Sequence, residues 1–206
     1  MSWRRSWLEG CLLLMALIFL AVASMGCRRP FRVPEQVRPI SGKLDARTTI
    51  NGLTVEAAAI TDEDELMRLF NANMILARIL VIKVMLKNQD NEPVDLHRLK
   101  FDLRDAQDHE FKFLEPEKAV DKLYEYYEIT TYVILTRKGL EADFQQKALS
   151  TESDLRPGEE RQGLVFFAIP EAVDKFSPLR DLILRLERLR WPQSGRNTTA
   201  ELRLSR

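Results

Sequence analysis

The sequence predicts a mainly β domain that carries a helical insert, and three observations lead there. Leu80, Ile82, Val84 and Leu86 alternate with Val81, Lys83, Met85 and Lys87, the period-2 signature of a strand. Turn chemistry punctuates the chain at Asn51-Gly52 and again from Asn88 to Pro93. After residue 116 the period changes: Pro116 stands at a helix start, and Val120, Leu123 and Tyr127 recur at helical spacing.

The elements follow in order. Leu53, Val55, Ala57 and Ala59 alternate with Thr54, Glu56 and Ala58, so residues 43 to 60 read as a hairpin turning at Asn51-Gly52. Thr61 is followed by Asp62, Glu63, Asp64 and Glu65, a hydroxyl cap with negative charge at the positive end of a helix dipole. Leu66, Met67 and Phe70 supply the apolar face of that helix. The long strand from Ile79 is expected to continue, after its turn, into a strand from Val94 to Leu103. A polar turn from Asp105 to Asp108 then leads to alternation at Phe111 and Phe113, giving three antiparallel strands in succession. The insert spans about residues 116 to 149. Ile129 to Leu135 combines β-branched residues with helix-favouring flanks, and both it and Gly139 to Leu149, with Leu140, Phe144 and Leu149, read as helix. The sheet resumes at Gly163 to Phe167, continues at Leu182, Leu184 and Leu186, and ends in a strand from Thr199 to Leu204.

Composition excludes several function classes. The 206 residues carry 31 Lys and Arg against 31 Asp and Glu, so no net field favours nucleic acid. Two Cys and two His leave almost no material for a closed zinc site, which takes four N or S ligands. No G-x-S-x-G elbow, P-loop or dinucleotide fingerprint occurs among the eight Gly. His97 and His109 stand in no metal-binding spacing and read as solvated or turn histidines, and the acidic run at 62 to 65 lacks the spacing of a calcium loop. The reading is therefore a non-enzyme with no cofactor and no metal.

The front of the chain carries an address. Arg4 and Arg5 precede an apolar run from Cys11 to Ala23, closed by Ser24, Met25 and Gly26, which is a secretory signal pattern. The uncharged stretch from Gly10 to Gly26 sits at the lower limit of the roughly 17–25 residues that span a bilayer, so a short uncleaved span stays open as an alternative. Cys27 directly after Ser24-Met25-Gly26 resembles the lipobox of bacterial lipoproteins. That resemblance covers the first 27 residues and implies cleavage before Cys27, a diacylglycerol on its thiol and an acylated amino terminus. It also implies sorting: Arg28 stands where an Asp would hold the protein at the inner membrane, so the outer membrane, facing the periplasm, is the expected residence. Residues 27 to 40, with Pro30, Pro34, Pro39 and four Arg, form a tether of extended geometry, and residues 41 to 206 form the domain.

A second resemblance rests on Asn88 and Pro93-Val94-Asp95-Leu96 after a strand, then Leu155-Arg156-Pro157-Gly158-Glu159 and Gly163-Leu164-Val165-Phe166-Phe167. Over about residues 79 to 170 the chain is similar to immunoglobulin-like exported domains of unknown function in bacterial lipoproteins. The fold this implies is an immunoglobulin-like β-sandwich. The helical insert departs from a minimal sandwich, and the disulfide and strand Trp of antibody domains are absent.

Without chemistry of its own, such a domain acts by binding or scaffolding, its partner expected to be an envelope protein and its membrane contact the lipid. Sheet edges or the insert would meet the partner, with strand addition at an open edge as one mechanism. Tyr124, Tyr126, Tyr127 and Tyr132 can pack the insert or line a groove, and Tyr126 falls off the Val120-Leu123-Tyr127 face. Tyr126, Arg188, Arg190 and Trp191 are the candidate partner contacts. The arginines from Arg180 onward read first as a solvated strand face, with attraction to anionic headgroups as the alternative. A carrier of a small ligand or lipid, with a pocket between sheet and insert, is the second functional reading.

Overall fold

The computed structural model describes residues 44–127 and 134–204. The leader, Cys27, the tether, Tyr132 and the stretch 129–133 lie outside these residues. The elements in chain order are β1 (Ala46–Ile50), β2 (Leu53–Ile60), α1 (Glu63–Phe70), β3 (Ile79–Asn88), β4 (Lys100–Arg104), β5 (Lys112–Leu114), α2 (Pro116–Tyr126), α3 (Ile134–Lys147), β6 (Glu160–Ala168), β7 (Leu182–Trp191) and β8 (Arg196–Leu204). All ladders between these strands are antiparallel, in a five-stranded sheet ordered β1-β2-β3-β6-β5 and a three-stranded sheet ordered β4-β7-β8. The protein is mainly β, as its alternation predicts.

The first hairpin forms where expected because Asn51 (φ 48°) and Gly52 (φ 76°) both take the positive φ that a two-residue turn needs to match strand twist. β3 then runs through the middle of the larger sheet and is buried on both faces, which explains its near-continuous apolar run. Leu80, Ile82, Val84 and Leu86 share a core with Leu182, Leu184, Leu186 and Leu202 of the smaller sheet. On the opposite face, Ile79 and Val81 pack with Leu66, Leu69, Phe70, Leu123, Leu140 and Phe144 of the helices. The larger sheet is thus the middle layer, and burying both of its faces is the dominant apolar contribution to the fold.

Four expectations need correction. The cap of α1 is Asp62 rather than Thr61, its Oδ1 accepting the Glu65 N–H at 2.9 Å; an aspartate one residue closer to the first turn reaches that donor better than the hydroxyl. Met67 is exposed, and Leu69 replaces it on the buried face. The strand expected from Val94 begins only at Lys100; Val94 and Asp95 instead make isolated bridges to Leu155 and Arg190. Most consequentially, β3, β4 and β5 do not form a meander. β4 crosses to the smaller sheet and pairs with β7, while β5 returns to pair with β6, because both faces of a middle layer must be covered and Leu103 is drawn into the opposing sheet's core.

Where it is described, the insert is helical over Pro116–Tyr126 and Ile134–Lys147, while most of the expected helix at Ile129 to Leu135 falls outside the described residues. α2 starts at Pro116, whose missing N–H costs a first turn nothing, and buries Ala119, Val120, Leu123 and Tyr124. α3 buries Leu140 and Phe144, and Phe144 stacks on Phe166 with ring centroids 5.2 Å apart. Leu149 lies beyond α3 and belongs to the core shared by the two sheets. Among the described residues no helix is long and apolar enough to cross a membrane.

Candidate functional site

The change of sheet between β4 and β5 creates a concavity. The two strands begin as a hairpin: Phe111 N–H donates to Leu103 O at 2.8 Å, and Asp105 N–H donates to His109 O at 3.3 Å. They then part toward different sheets. The gap is a cleft of about 680 Å³, floored by Leu149 and Val165 and walled by the start of α2 and the end of α3 through Pro116 and Gln145. That volume lies within the range of small-ligand and peptide sites. The rings of Phe101 and Phe113 stack inside it, centroids 5.7 Å apart and planes 24° from parallel. Lys100, Glu115 and Glu152 stand around its mouth.

His97 also lines the cleft and joins two acids that sequence spacing could not bring together. Reciprocal bonds between Val94 and Leu155, at 2.9 and 2.8 Å, set Asp95 beside Asp154. The His97 Nδ1 lies 3.1 Å from Asp95 Oδ1 and 3.4 Å from Asp154 Oδ1. Burial works against the Asp95 carboxylate, yet the His97 N–H and ring, with the charges of His97 and Arg190, hold its pKa below the ordinary value. Ligand atoms of the three residues all lie within 4.8 Å of one another, so they can hold a divalent cation. The His97 Nδ1 position hydrogen-bonds to Asp95, while Asp154 stands at ion-pair distance. His109 is similarly engaged, its Nδ1 2.8 Å from Asp105 Oδ2 in the turn between β4 and β5. Among the described residues neither histidine is hydrogen-bonded to a nucleophile in a triad-like arrangement.

The loop that forms the cleft's far wall is tied down by one side chain. Arg161 donates to the carbonyls of Ser150 (3.2 Å), Ser153 (2.7 Å) and Asp154 (3.0 Å), and pairs with Glu159. The backbone N–H of Arg156 and the Arg161 guanidinium in turn lower the Glu159 pKa despite its partial burial.

A second surface is aromatic. Among the described residues the large apolar side chains left exposed are Met67, Tyr126, Tyr127 and Phe176. Tyr126 and Tyr127 meet edge to face at 4.9 Å, and Lys175 Nζ lies 5.3 Å from the rings of both Tyr126 and Phe176. Phe176, at 76% exposure, is the side chain most out of place in water. Tyr126 is exposed as expected, while Tyr124 is the tyrosine that packs the insert. Tyr127 closes α2 from an exposed position, its hydroxyl accepting the Asn73 N–H at 3.3 Å.

The other candidate contacts divide. Arg188 and Arg190 are exposed, and Arg188 takes φ 65° at the bulge between Leu186 and Leu189. Trp191 has no exposed surface and is withdrawn as a partner contact: it alternates inward with Leu184, Leu186 and Leu189, and Arg196 covers its ring at 5.3 Å. Arg185, Arg188, Arg190 and Arg203 lie on the outer face of β7 and β8, Arg185 pairing with Glu201 and Asp102, the arrangement expected of a solvated strand face.

No protein-family model matches the chain, and no curated protein and no solved structure is significantly similar to it.

Proposed function

We propose that the protein is a lipid-anchored component of a bacterial cell envelope whose domain binds or scaffolds another envelope protein without catalysis. The aromatic patch of Tyr126, Tyr127 and Phe176 around Lys175 carries this reading. Tyr and Phe bring large contact area at low entropic cost, and exposed clusters of them are characteristic of binding surfaces. The anchor rests on Cys27 after Ser24-Met25-Gly26 and the apolar leader. Arg28 favours the outer membrane, and a lipid at Cys27 suffices as sole attachment because several buried chains make dissociation negligible.

An immunoglobulin-like sandwich is the proposed topology. With β1 set aside, the order β2-β3-β6-β5 opposite β4-β7-β8 is the order of the ABED and CFG sheets of a constant-type immunoglobulin domain. The core between the sheets supports the same assignment. The helices α2 and α3 then sit as an insert between the fourth and fifth strands of that plan.

A photo-crosslinking amino acid at position 126, compared with one at exposed Arg188, tests the reading in intact cells. A discrete adduct from position 126, recovered with the membrane fraction and lost to the soluble fraction in Cys27→Ala, is expected. A Cys27→Ala protein that stays membrane-bound with its leader attached would remove the lipid anchor. The second reading, a small-ligand or lipid carrier, is favoured by the cleft between the sheets and the insert. A bound small molecule in native mass spectrometry of the purified protein would select it.

A further inference from the structure

We infer that the wedge between β4 and β5 receives an extended, non-acidic peptide segment of a partner protein, which adds as a strand to the free edge of β4 at Phe101. The inference deepens the binding-protein reading and rests on it.

Ladder parity identifies the free edge. In an antiparallel strand the N–H and C=O of one residue point to the same side, and successive residues point to opposite sides. Leu103 O accepts from Phe111 N–H and Asp105 N–H donates to His109 O in the hairpin turn, both away from β7. Phe101, two residues before Leu103, must also point away from β7, where its cross-strand neighbour is Leu186. On the other wall, Leu164 O accepts from Leu149 N–H, so Leu164 and Phe166 face the β5 side of β6. Leu114 is therefore bonded to Phe166, and Phe113 points its backbone away from β6. A continued hairpin would join Phe101 to Phe113, but those strands have gone to different sheets, and no backbone bond or bridge links the two among the described residues.

The chemistry of this edge selects its ligand. A donor and an acceptor in strand geometry, facing a cleft, are complemented by another extended backbone. The Phe101 and Phe113 rings with Leu149 offer that strand an apolar seat for alternate side chains. An anionic ligand would meet Lys100 against both Glu115 and Glu152, so the mouth gives it no net attraction.

The test pans a displayed random heptapeptide library against the full chain in detergent, beside a library with proline at every second position, which cannot pair as a strand. Wild-type protein is expected to enrich peptides with apolar residues at alternate positions, only from the first library. Exchange of the Phe101 amide should slow about tenfold or more when such a peptide is bound, and its affinity should fall about tenfold in Phe101→Pro, which removes a donor β7 does not use. Gln145→Trp, on the exposed lip of α3, should obstruct binding without touching the core and decides the matter if Phe101→Pro misfolds. Failure to enrich any peptide, equal enrichment from the proline library, undiminished binding by Gln145→Trp, or an unprotected Phe101 amide in the complex each overturns the inference. A crosslink from position 126 that persists alongside such a failure leaves the binding-protein reading standing.

Discussion

Gly163 passes so close beneath Leu149 that a Cβ on the glycine would lie 2.3 Å from the Leu149 Cα and 2.4 Å from its nitrogen. This contact lets the chain leaving α3 lie against β6, where Leu149 N–H bonds to Leu164 O at 2.9 Å and Ala148 makes a parallel bridge. The obstruction is backbone and cannot rotate aside. Gly163→Ala should therefore cost about 1–3 kcal/mol as overpacking, read as a lower denaturant midpoint with an unchanged slope. Gly139, on an exposed part of α3 with nothing within 4 Å, is the control, and Gly139→Ala should stabilise by about 0.5–1 kcal/mol.

Lys147 and Asp143 form a buried ion pair that docks α3 onto α1. The Lys147 ammonium contacts Asp143 Oδ2, donates to Leu69 O at 2.8 Å and lies 5.1 Å from the Phe70 ring centroid. Asp143 Oδ1 is buried without a hydrogen-bond partner, so the pair is imperfectly satisfied. Removing one charge should be much worse than removing both. Lys147→Met is expected to cost about 3–5 kcal/mol, and Asp143→Leu with Lys147→Met to recover most of that loss, as measured by chemical unfolding of both variants. A double variant no more stable than Lys147→Met would contradict the desolvation argument.

Local signals read the elements well and their assembly poorly. Alternation located β2, β3, β6 and β7, and the helical period at Val120 and Leu123 located α2, because these signals are carried by neighbours along the chain. The departure of β4 into the second sheet has no such signal. Phe101 and Leu103 alternate as they would in either sheet, and the pairing of β4 with β7 and of β5 with β6 is set by partners distant in the chain. A pocket beside the insert is expected from the sequence, but its lining by Phe101 and Phe113 is not legible there, since the cleft opens where those strands diverge. Asp154 was missed as a neighbour of His97 because the two meet only through the Val94–Leu155 bridge. Tyr126 was legible because one residue's offset from a helical face suffices, whereas strict alternation from Leu182, Leu184 and Leu186 points Trp191 outward, and only the bulge between Leu186 and Leu189 shifts the phase and turns it into the core.

Arg161 reaches three carbonyls of the loop from Ser150 to Asp154 with a planar fork of donors. Arg161→Ala should lower stability by about 1.5–3 kcal/mol, the worth of hydrogen bonds to a charged group. Amide exchange should rise throughout residues 150–159 while β3 and β7 stay protected. Arg161→Lys should fail to restore protection, because one ammonium cannot reproduce the spread of the guanidinium. Restoration by lysine would mean that charge alone holds the loop.

Glu92 gives the fold a specific sensitivity to acid. Its Oε1 accepts the N–H groups of Gln193 at 2.6 Å and Ser194 at 2.8 Å, and its Oε2 lies 3.1 Å from Arg196 Nη2, fastening the loop after β3 to the turn between β7 and β8. Burial opposes the charged form, but the bonds from Ser194, Arg196 and Gln193 outweigh it and lower the Glu92 pKa. A carboxylate whose pKa is lower folded than unfolded stabilises the native state above the unfolded pKa of about 4.3, and that contribution disappears as pH falls through the folded value. Thermal unfolding of the wild type should therefore be nearly flat from neutral pH to about 5 and fall steeply below about 4.3. Glu92→Gln should unfold at a lower temperature at neutral pH, because its amide turns a donor toward the Arg196 guanidinium in place of an acceptor. Its melting temperature should also decline less between neutral and acidic pH, with Asp95, Asp105 and Glu159, whose pKa values are likewise lowered, maintaining the remaining slope. Parallel melting curves for the two proteins across that range would show that Glu92 does not supply the acid sensitivity.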